Sequence, residues 1–282
     1  MTTLATSALA AHVLVVGAGP AGIAAAARAA ESGRSVVLVD ESPEIGGQIW
    51  RHQTRATLSV IAKTWIARVE GSSAKILRGT SVIDMHGDGN GYLVSTERNG
   101  VPLVVRANVL VLATGARERF LPFPGWTMPG VIGIGGAQAL LKSGTSFAGK
   151  RIVIAGSGPL LLPVAASLKA SGAKVMLVAE QASARSVMGF ALGLLTKPAT
   201  LAQAARYRVE FFGTPYRLGE WVAAARGNGA VAEVDITDGV STRTIACDVL
   251  CAAFGLVPNT ELAQLLGCNI SGGVVVVDAG QQ

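Results

Sequence analysis

The chain alternates between short uninterrupted apolar runs and longer stretches whose apolar residues recur at helical spacing. Val13 to Val16 is the first run, β-branched and bounded by glycine, and it predicts a parallel strand buried on both faces. An Ala-rich helix follows a glycine turn, and Val36 to Val39 gives a second such strand ending at Asp40. Between 57 and 69 the apolar residues Leu58, Ile61, Ala62, Trp65, Ile66 and Val69 predict a helix. Three alternating runs, 81–85, 92–96 and 102–105, are separated by Gly-Asp-Gly-Asn-Gly and Asn99-Gly100, a β-meander with tight turns. The run 108–113 then predicts a return to the main sheet, and two Pro-Gly turns between Leu121 and Gly130 form a rigid crossing to a new domain.

The second half repeats the first. An offset of 139 residues carries Gly17 onto Gly156, and also Gly19 onto Gly158, Pro20 onto Pro159, Gly33 onto Gly172, Val36 onto Val175 and Leu38 onto Leu177. The same offset puts Leu161 where Gly22 stands and Ala179 where Asp40 stands, leaving Glu180 as the neighbouring acid. Beyond it the pattern predicts a helix over 183–206 broken at Pro198, and strands at 209–212, 230–236 and 242–245. A buried return strand is expected over 247–255, then a short helix at 260–266 and a last strand at 273–278. The expected fold is α/β: two Rossmann-like dinucleotide-binding units, three-layered, with a small β-meander in each. The expected division is 1–120, then 121–254, then a return to the first domain over 255–282.

At 282 residues there is room for about two domains. The net charge of +6 is spread along the chain, which argues against a nucleic-acid-binding surface. No apolar run approaches the roughly 18 residues of a membrane helix, and Met1 to Ala11 has no basic region ahead of an apolar core, so neither a span nor a signal peptide is expected. Three cysteines, Cys247, Cys251 and Cys268, are too few for a disulfide scaffold, and a cytoplasmic location follows. Cys247 and Cys251 are read as core residues on one face of a buried strand, too far apart along it for an easy bridge. His12, His52 and His86 stand apart from other ligands, so no metal site is expected.

The chemistry concentrates at the glycines. In Gly17-x-Gly19-x-x-Gly22 the first glycine permits a tight turn, the second lets backbone approach a pyrophosphate, and the third lets the helix lie against its strand. The helix N-terminus faces the phosphates with open N–H groups, and Asp40 is placed to accept from ribose hydroxyls. Gly46-Gly47 brings backbone close to something, with donors at Gln48 and Arg51 beside it. Arg117 and Arg119 follow the return strand and suit cofactor phosphates, a partner or solvent.

The two units, the meander, the Ala113-Thr114-Gly115 return strand and the Pro-Gly crossing together resemble the two-dinucleotide-binding flavoproteins of the pyridine nucleotide-disulfide oxidoreductase superfamily. Five stretches are similar, more narrowly, to the α (or B) subunits of dye-linked amino-acid dehydrogenases, a group with hydrogen cyanide synthase, opine oxidase and proline and hydroxyproline dehydrogenase complexes. These are Gly46 to Arg51, Ala113 to Arg119, Pro124 to Val131, Ala155 to Leu162 and Cys247 to Asn259. The resemblance implies FAD in the first unit, held by Gly17, Gly19, Pro20, Ala21 and Gly22, the acids Asp40 and Glu41, the loop residues Gly47, Gln48 and Arg51, and Ala113, Thr114 and Gly115. In the second unit Gly156, Gly158, Pro159 and Glu180 would meet NAD(P) or another adenine nucleotide.

It further implies a glycine-oxidase-like flavoprotein β subunit that oxidises the amine, FMN at the subunit junction and a [2Fe-2S] partner, with any inner-membrane association peripheral and through partners. No His/Asp or paired-carboxylate base is evident in this chain, which suits that division of labour. Family members continue beyond the position of Asp278 into a segment that closes over the flavin, and that segment is expected to be absent here. Two other readings stay open: a stand-alone NAD(P)H-dependent FAD oxidoreductase without a redox disulfide, and a non-catalytic, nucleotide-holding scaffold subunit.

Overall fold

A computed structural model describes residues 7–51, 58–193 and 213–282. The chain divides into two compact units, Met1–Arg117 with Val257–Gln282, and Glu118–Leu256.

The first unit runs β1 (Ser7–Val16), α1 (Pro20–Glu31), β2 (Val36–Asp40), α2 (Val60–Glu70), β3 (Lys75–Arg78), β4 (Ser81–Gly87), β5 (Tyr92–Arg98) and β6 (Val101–Leu112). Its six strands are ordered β3-β2-β1-β6-β5-β4, with β1 parallel to both neighbours. The uninterrupted apolar runs arise because both faces are covered. Val13, Val15 and Leu38 pack with Ile23, Ala26 and Ala27 of α1 and Ile66 and Val69 of α2. Leu14, Val16, Val37 and Val39 pack on the other face with Met85, Val94 and Val105. Pro at the first turn and Gly33 just past the last fit α1 to its ends. Between α1 and α2, Trp65 lies under the guanidinium groups of Arg28 and Arg68, and Arg68 grips Glu31 with two hydrogen bonds of 2.8 and 2.6 Å.

Two sequence expectations change here. The runs 102–105 and 108–113 are one twelve-residue strand, β6. It is antiparallel to β5 along one edge and parallel to β1 along the other. Arg106 and Asn108 do not break it because their side chains stand on the exposed face, where Arg106 pairs with Asp88. The stretch ahead of Val13 is also strand: β1 begins at Ser7, because β6 offers it a continuous edge from Leu103 onward.

β7 (Ala116–Glu118) leads into the second unit: β8 (Val131–Gly133), α3 (Ile134–Lys142), β9 (Arg151–Gly156), α4 (Leu161–Ala170), β10 (Lys174–Glu180), α5 (Ala184–Gly193), β11 (Tyr216–Leu218), β12 (Trp221–Arg226), β13 (Glu233–Thr237), β14 (Thr242–Ala246) and β15 (Val249–Ala253). A parallel sheet β11-β10-β9-β15-β8 is sandwiched between helices and the antiparallel meander β12-β13-β14. Ile152, Ile154 and Val178 face Leu161, Val164 and Leu168 of α4. Val153, Ala155 and Leu177 face Val222, Val234 and Ile236 of the meander. β16 (Leu256–Pro258), α6 (Glu261–Leu265), β17 (Ile270–Ser271) and β18 (Val274–Val275) complete the chain.

β12 was not expected from the sequence, β13 starts at Glu233 rather than 230, and of the strand expected over 273–278 only Val274–Val275 is strand, paired with Ile270–Ser271. The expected strand at 209–212 and the helix past Gly193 lie outside the described residues.

Arg151 and Asp248 staple β9 to the start of β15. The Arg151 backbone N–H donates to Asp248 Oδ2 at 2.8 Å and its Nη2 to Oδ1 at 2.7 Å. The guanidinium, then the backbone N–H, hold the Asp248 carboxyl down at about 2. A depressed carboxylate pKa stabilises the fold above the unfolded value near 4 and loses that contribution as pH falls toward 2. Thermal unfolding followed by circular dichroism should therefore show a steeper fall in Tm between about pH 4 and 2 for the native chain than for Asp248→Asn.

Candidate functional site

At the carboxyl end of β1 the backbone turns sharply and α1 starts at Pro20, one residue after Gly19. Gly22 lies so close to the turn that a methyl group on it would stand 1.8 Å from the Gly17 carbonyl oxygen. The loop containing Gly46 and Gly47 folds back onto the turn: Gly46 N–H donates to Ala18 O at 2.7 Å, and a Cβ on Gly47 would stand 2.8 Å from Gly19 Cα. A Cβ on Gly19 would meet nothing within 4 Å. The turn is thus crowded from behind and open at Gly19. α1 has no side-chain cap, so its first-turn N–H groups point into that opening.

Asp40 fixes the turn from the side. Its Oδ2 accepts from Ala18 N–H and its Oδ1 from Ser42 N–H at 2.7 Å. Each oxygen keeps a lone pair, and the residue is half-buried, so other donors can still reach it.

Ala113 and Thr114 press on the turn from behind, where a Cβ on Gly17 would stand 2.4 Å from Ala113 O and 3.3 Å from Thr114 N, and the segment is held from 145 residues away by Asn259. Thr114 Oγ1 donates to Asn259 O at 2.8 Å, Asn259 Nδ2 returns a bond to Thr114 O at 2.8 Å, and Asn259 N–H donates to Gly115 O at 3.0 Å. Arg117 donates to Asn259 Oδ1 at 2.9 Å and pairs with Glu261 at 2.6 Å, so it braces this clamp.

The structure therefore gathers Gly17, Gly19, Pro20, Ala21, Gly22, Asp40, Gly47, Ala113, Thr114 and Gly115 at one turn. Glu41 and Gln48 are exposed and Arg51 half-buried, and none of the three is hydrogen-bonded among the described residues. Ser42 and Asn259 belong to the arrangement but were not singled out from the sequence. Ser42 carried the familiar signal of a small polar residue two past an acid, where an Asx-type turn forms. Asn259 carried none, because its partner is remote.

The second turn is built on the same plan, with a shift that the sequence offset conceals. Ile152 pairs with Val175 as Val13 pairs with Val36. A β-bulge at Met176 then adds one residue to β10, so that Val153 pairs with Leu177 and Gly156 with Glu180. The counterpart of Asp40 is Glu180, not Ala179. Its Oε2 accepts from Gly158 N–H at 3.2 Å and its Oε1 from Ala182 N–H at 2.9 Å. The longer side chain reaches one residue further along the turn than Asp40 does, and it is 5% exposed.

The other expected difference takes a specific form. Leu161 is fully buried where Gly22 stands in the first unit, and α4 begins only at Leu161, leaving Pro159 and Leu160 as an exposed turn. Here the entry into the helix is a tighter turn, closed by Leu161 N–H donating to Gly158 O at 3.3 Å, where Ile23 N–H donates to Gly19 O in the first unit.

A model of the pyridine nucleotide-disulphide oxidoreductase family matches residues 11–282. The chain belongs to that family. It is 34% identical over 275 residues to hydrogen cyanide synthase subunit HcnB of Pseudomonas aeruginosa, covering 90% of this chain and 59% of that one. It is 30% identical over 281 residues to an opine oxidase subunit of Agrobacterium tumefaciens, covering 92% and 55%. The chain thus spans a little over half the length of these relatives. Thioredoxin reductase of T. acidophilum shares the fold, with a TM-score of 0.75 at 23% identity over 96% of this chain and 85% of that one.

Two of the three cysteines, Cys247 and Cys251, are buried, and Cys268 is exposed. Cys251 packs on the helix side of its sheet and Cys247, which precedes β15, on the meander side. Contrary to the expectation from their spacing, they do not share a face, because the strand's alternation begins only at Val249. Burial pushes both thiols up, that of Cys247 to about 11, so neither is a thiolate at neutral pH. Among the described residues no group of three His, Cys, Asp or Glu is placed to hold a metal ion, and no helix is long and apolar enough to cross a membrane. His52 lies outside the described residues.

Asn259→Ala removes the bonds to Thr114 O and Arg117, about 1 kcal/mol each. Hydrogen exchange should speed roughly tenfold or more over residues 113–117 while β2 is unchanged.

Proposed function

We propose that this chain is the FAD-binding, electron-transfer subunit of a heteromeric amino-acid or opine dehydrogenase. The observation that carries the reading is the first turn: backbone packed tightly behind it, a gap at Gly19 in front, uncapped α1 N–H groups facing the gap, and a carboxylate beside it. These residues fit a flavin dinucleotide. The pyrophosphate would lie at Gly19 and the start of α1, where open N–H groups and the helix dipole favour anions. Asp40 would accept from the adenosine ribose with the lone pairs its backbone bonds leave free. Ala113 to Gly115, held by Asn259 beside the turn, would border the cofactor, with Glu41, Gln48 and Arg51 from the neighbouring loops.

When bound, FAD takes up two electrons and passes them on singly or together. In this reading the chain's own residues bind and orient the cofactor, and the amine substrate is oxidised in a glycine-oxidase-like partner. That the relatives are named as subunits supports this division. FMN at the subunit junction and a [2Fe-2S] centre would belong with the partners, and the complex would work in the cytoplasm or at the inner face of the membrane.

One observation favours a second reading, a reductase that takes hydride from a pyridine nucleotide: Glu180 restores an acid to the second turn. The visible spectrum of the purified chain tests the first reading. A flavin band with close to one FAD released per chain is expected, and Gly22→Ala should weaken FAD retention by about tenfold or more, since the added methyl has no room. A colourless chain that takes up no added FAD would overturn autonomous flavin binding and leave the scaffold reading.

A further inference from the structure

β1 and β2 do not start level. Their pairing begins with Val13 opposite Val36, yet β1 reaches back to Ser7, and over residues 7–11 it is paired only to β6 among the described residues. β2 does not follow it, because Ser35 and Arg34 lead back to the end of α1. On the other side of β2, β3 takes up the sheet at Lys75, opposite Val37. The amino end of the sheet therefore holds a slot the width of one strand, between residues 7–11 of β1 and the approach to β3, roughly 17 Å long. A cavity of about 390 Å³ lies there, and Leu9, Ala11 and Val37 of its lining pack into the core beneath.

The rim is cationic. Arg34 and Lys75 line it, both exposed, and neither is in an ion pair among the described residues. No described residue of the lining is acidic, and the remaining stretches of this unit, 1–6 and 52–57, contain no Asp or Glu. The negative end of α1 nearby is closed: the N–H groups of Ser32, Gly33 and Arg34 donate to the carbonyls of Arg28, Ala30 and Ala29. An unpaired strand edge is a template for another strand. Cations beside it turn away basic segments and draw acidic ones.

We propose that this slot takes an extended acidic segment of a partner protein, which pairs with the free edge of β1 at residues 7–11 and sets carboxylates against Arg34 and Lys75. The slot lies at the end of β1 opposite the glycine turn, and the inference rests on neither the flavin nor the pyridine-nucleotide reading.

The probe is a fluorescein-labelled hexapeptide of alternating valine and glutamate, titrated into the purified full chain by fluorescence anisotropy. Saturable binding with a Kd of about 100 µM or tighter is expected at low salt, weakening by about tenfold as the salt is raised. Arg34→Glu combined with Lys75→Glu should weaken it by about tenfold or more. Both side chains are exposed, and circular dichroism verifies that the variant is folded. The same peptide N-methylated throughout keeps its charges but cannot pair as a strand, and should also bind about tenfold more weakly. Hydrogen exchange in the complex should slow by about tenfold over residues 7–11 while β9 is unchanged.

Equal binding of the N-methylated peptide would reduce the slot to a site for anions, and equal binding of a valine–lysine peptide would make the edge unselective. Binding untouched by the double charge reversal, protection confined to other parts of the chain, or no binding at up to about 1 mM peptide would leave no strand site here. Each of these results overturns the proposal.

Discussion

Both halves of this protein depend on one interaction, a carboxylate at the end of a parallel strand accepting hydrogen bonds from the backbone of a glycine turn on the neighbouring strand. A turn that tight leaves N–H groups with no partner of their own, and a buried unpaired N–H costs on the order of 1–3 kcal/mol. Asp40 and Glu180 supply the partner, and each also ties down the loop two residues beyond itself. The turn is then rigid before any ligand arrives, which is the condition for a backbone to serve as a binding surface. Glycine is required because the helix and the return strand press in from behind; the acid is required because the turn must not collapse into the gap in front.

Much of this was legible in the sequence, for a definite reason. Parallel strands buried on both faces leave unbroken β-branched runs, and glycine turns announce themselves by composition, so β1, β2, β9 and the turns following β1 and β9 could be read directly. What escaped reading depended on register or on distance. An ungapped offset carried Leu38 onto Leu177 with no visible conflict, yet the structural counterpart of Leu38 is Val178, because the bulge at Met176 had already intervened. A strand's side-chain period of two makes such a slip easy to miss in an all-apolar run, where either face is acceptable to a hydrophobic residue. Only the polar residue at the end reveals it.

The clamp of Asn259 on Thr114 was hidden by the opposite difficulty. Nothing local distinguishes that asparagine from any residue ahead of a short helix, and its three bonds go to a segment on the far side of the intervening unit in sequence. Cys247 shows how a correct local pattern can still mislead. The spacing of four residues to Cys251 places two side chains on one face only if all the intervening residues are strand, and here the strand starts at Val249.

β6 pairs with residues immediately before it in the chain along one edge and with the amino-terminal strand along the other. The hairpin of β5 and β6 is local and can form as soon as it leaves the ribosome. β1 must wait for it: Ser7 through Ala11 pair with 103–107, some ninety-six residues later. Within this sheet β1 is therefore among the last strands to find its full partner, and until then that edge is open to pairing with any other chain. The small and weakly apolar residues at 7–11, where no two bulky hydrophobes adjoin, suit a segment that has to remain unpaired for that interval.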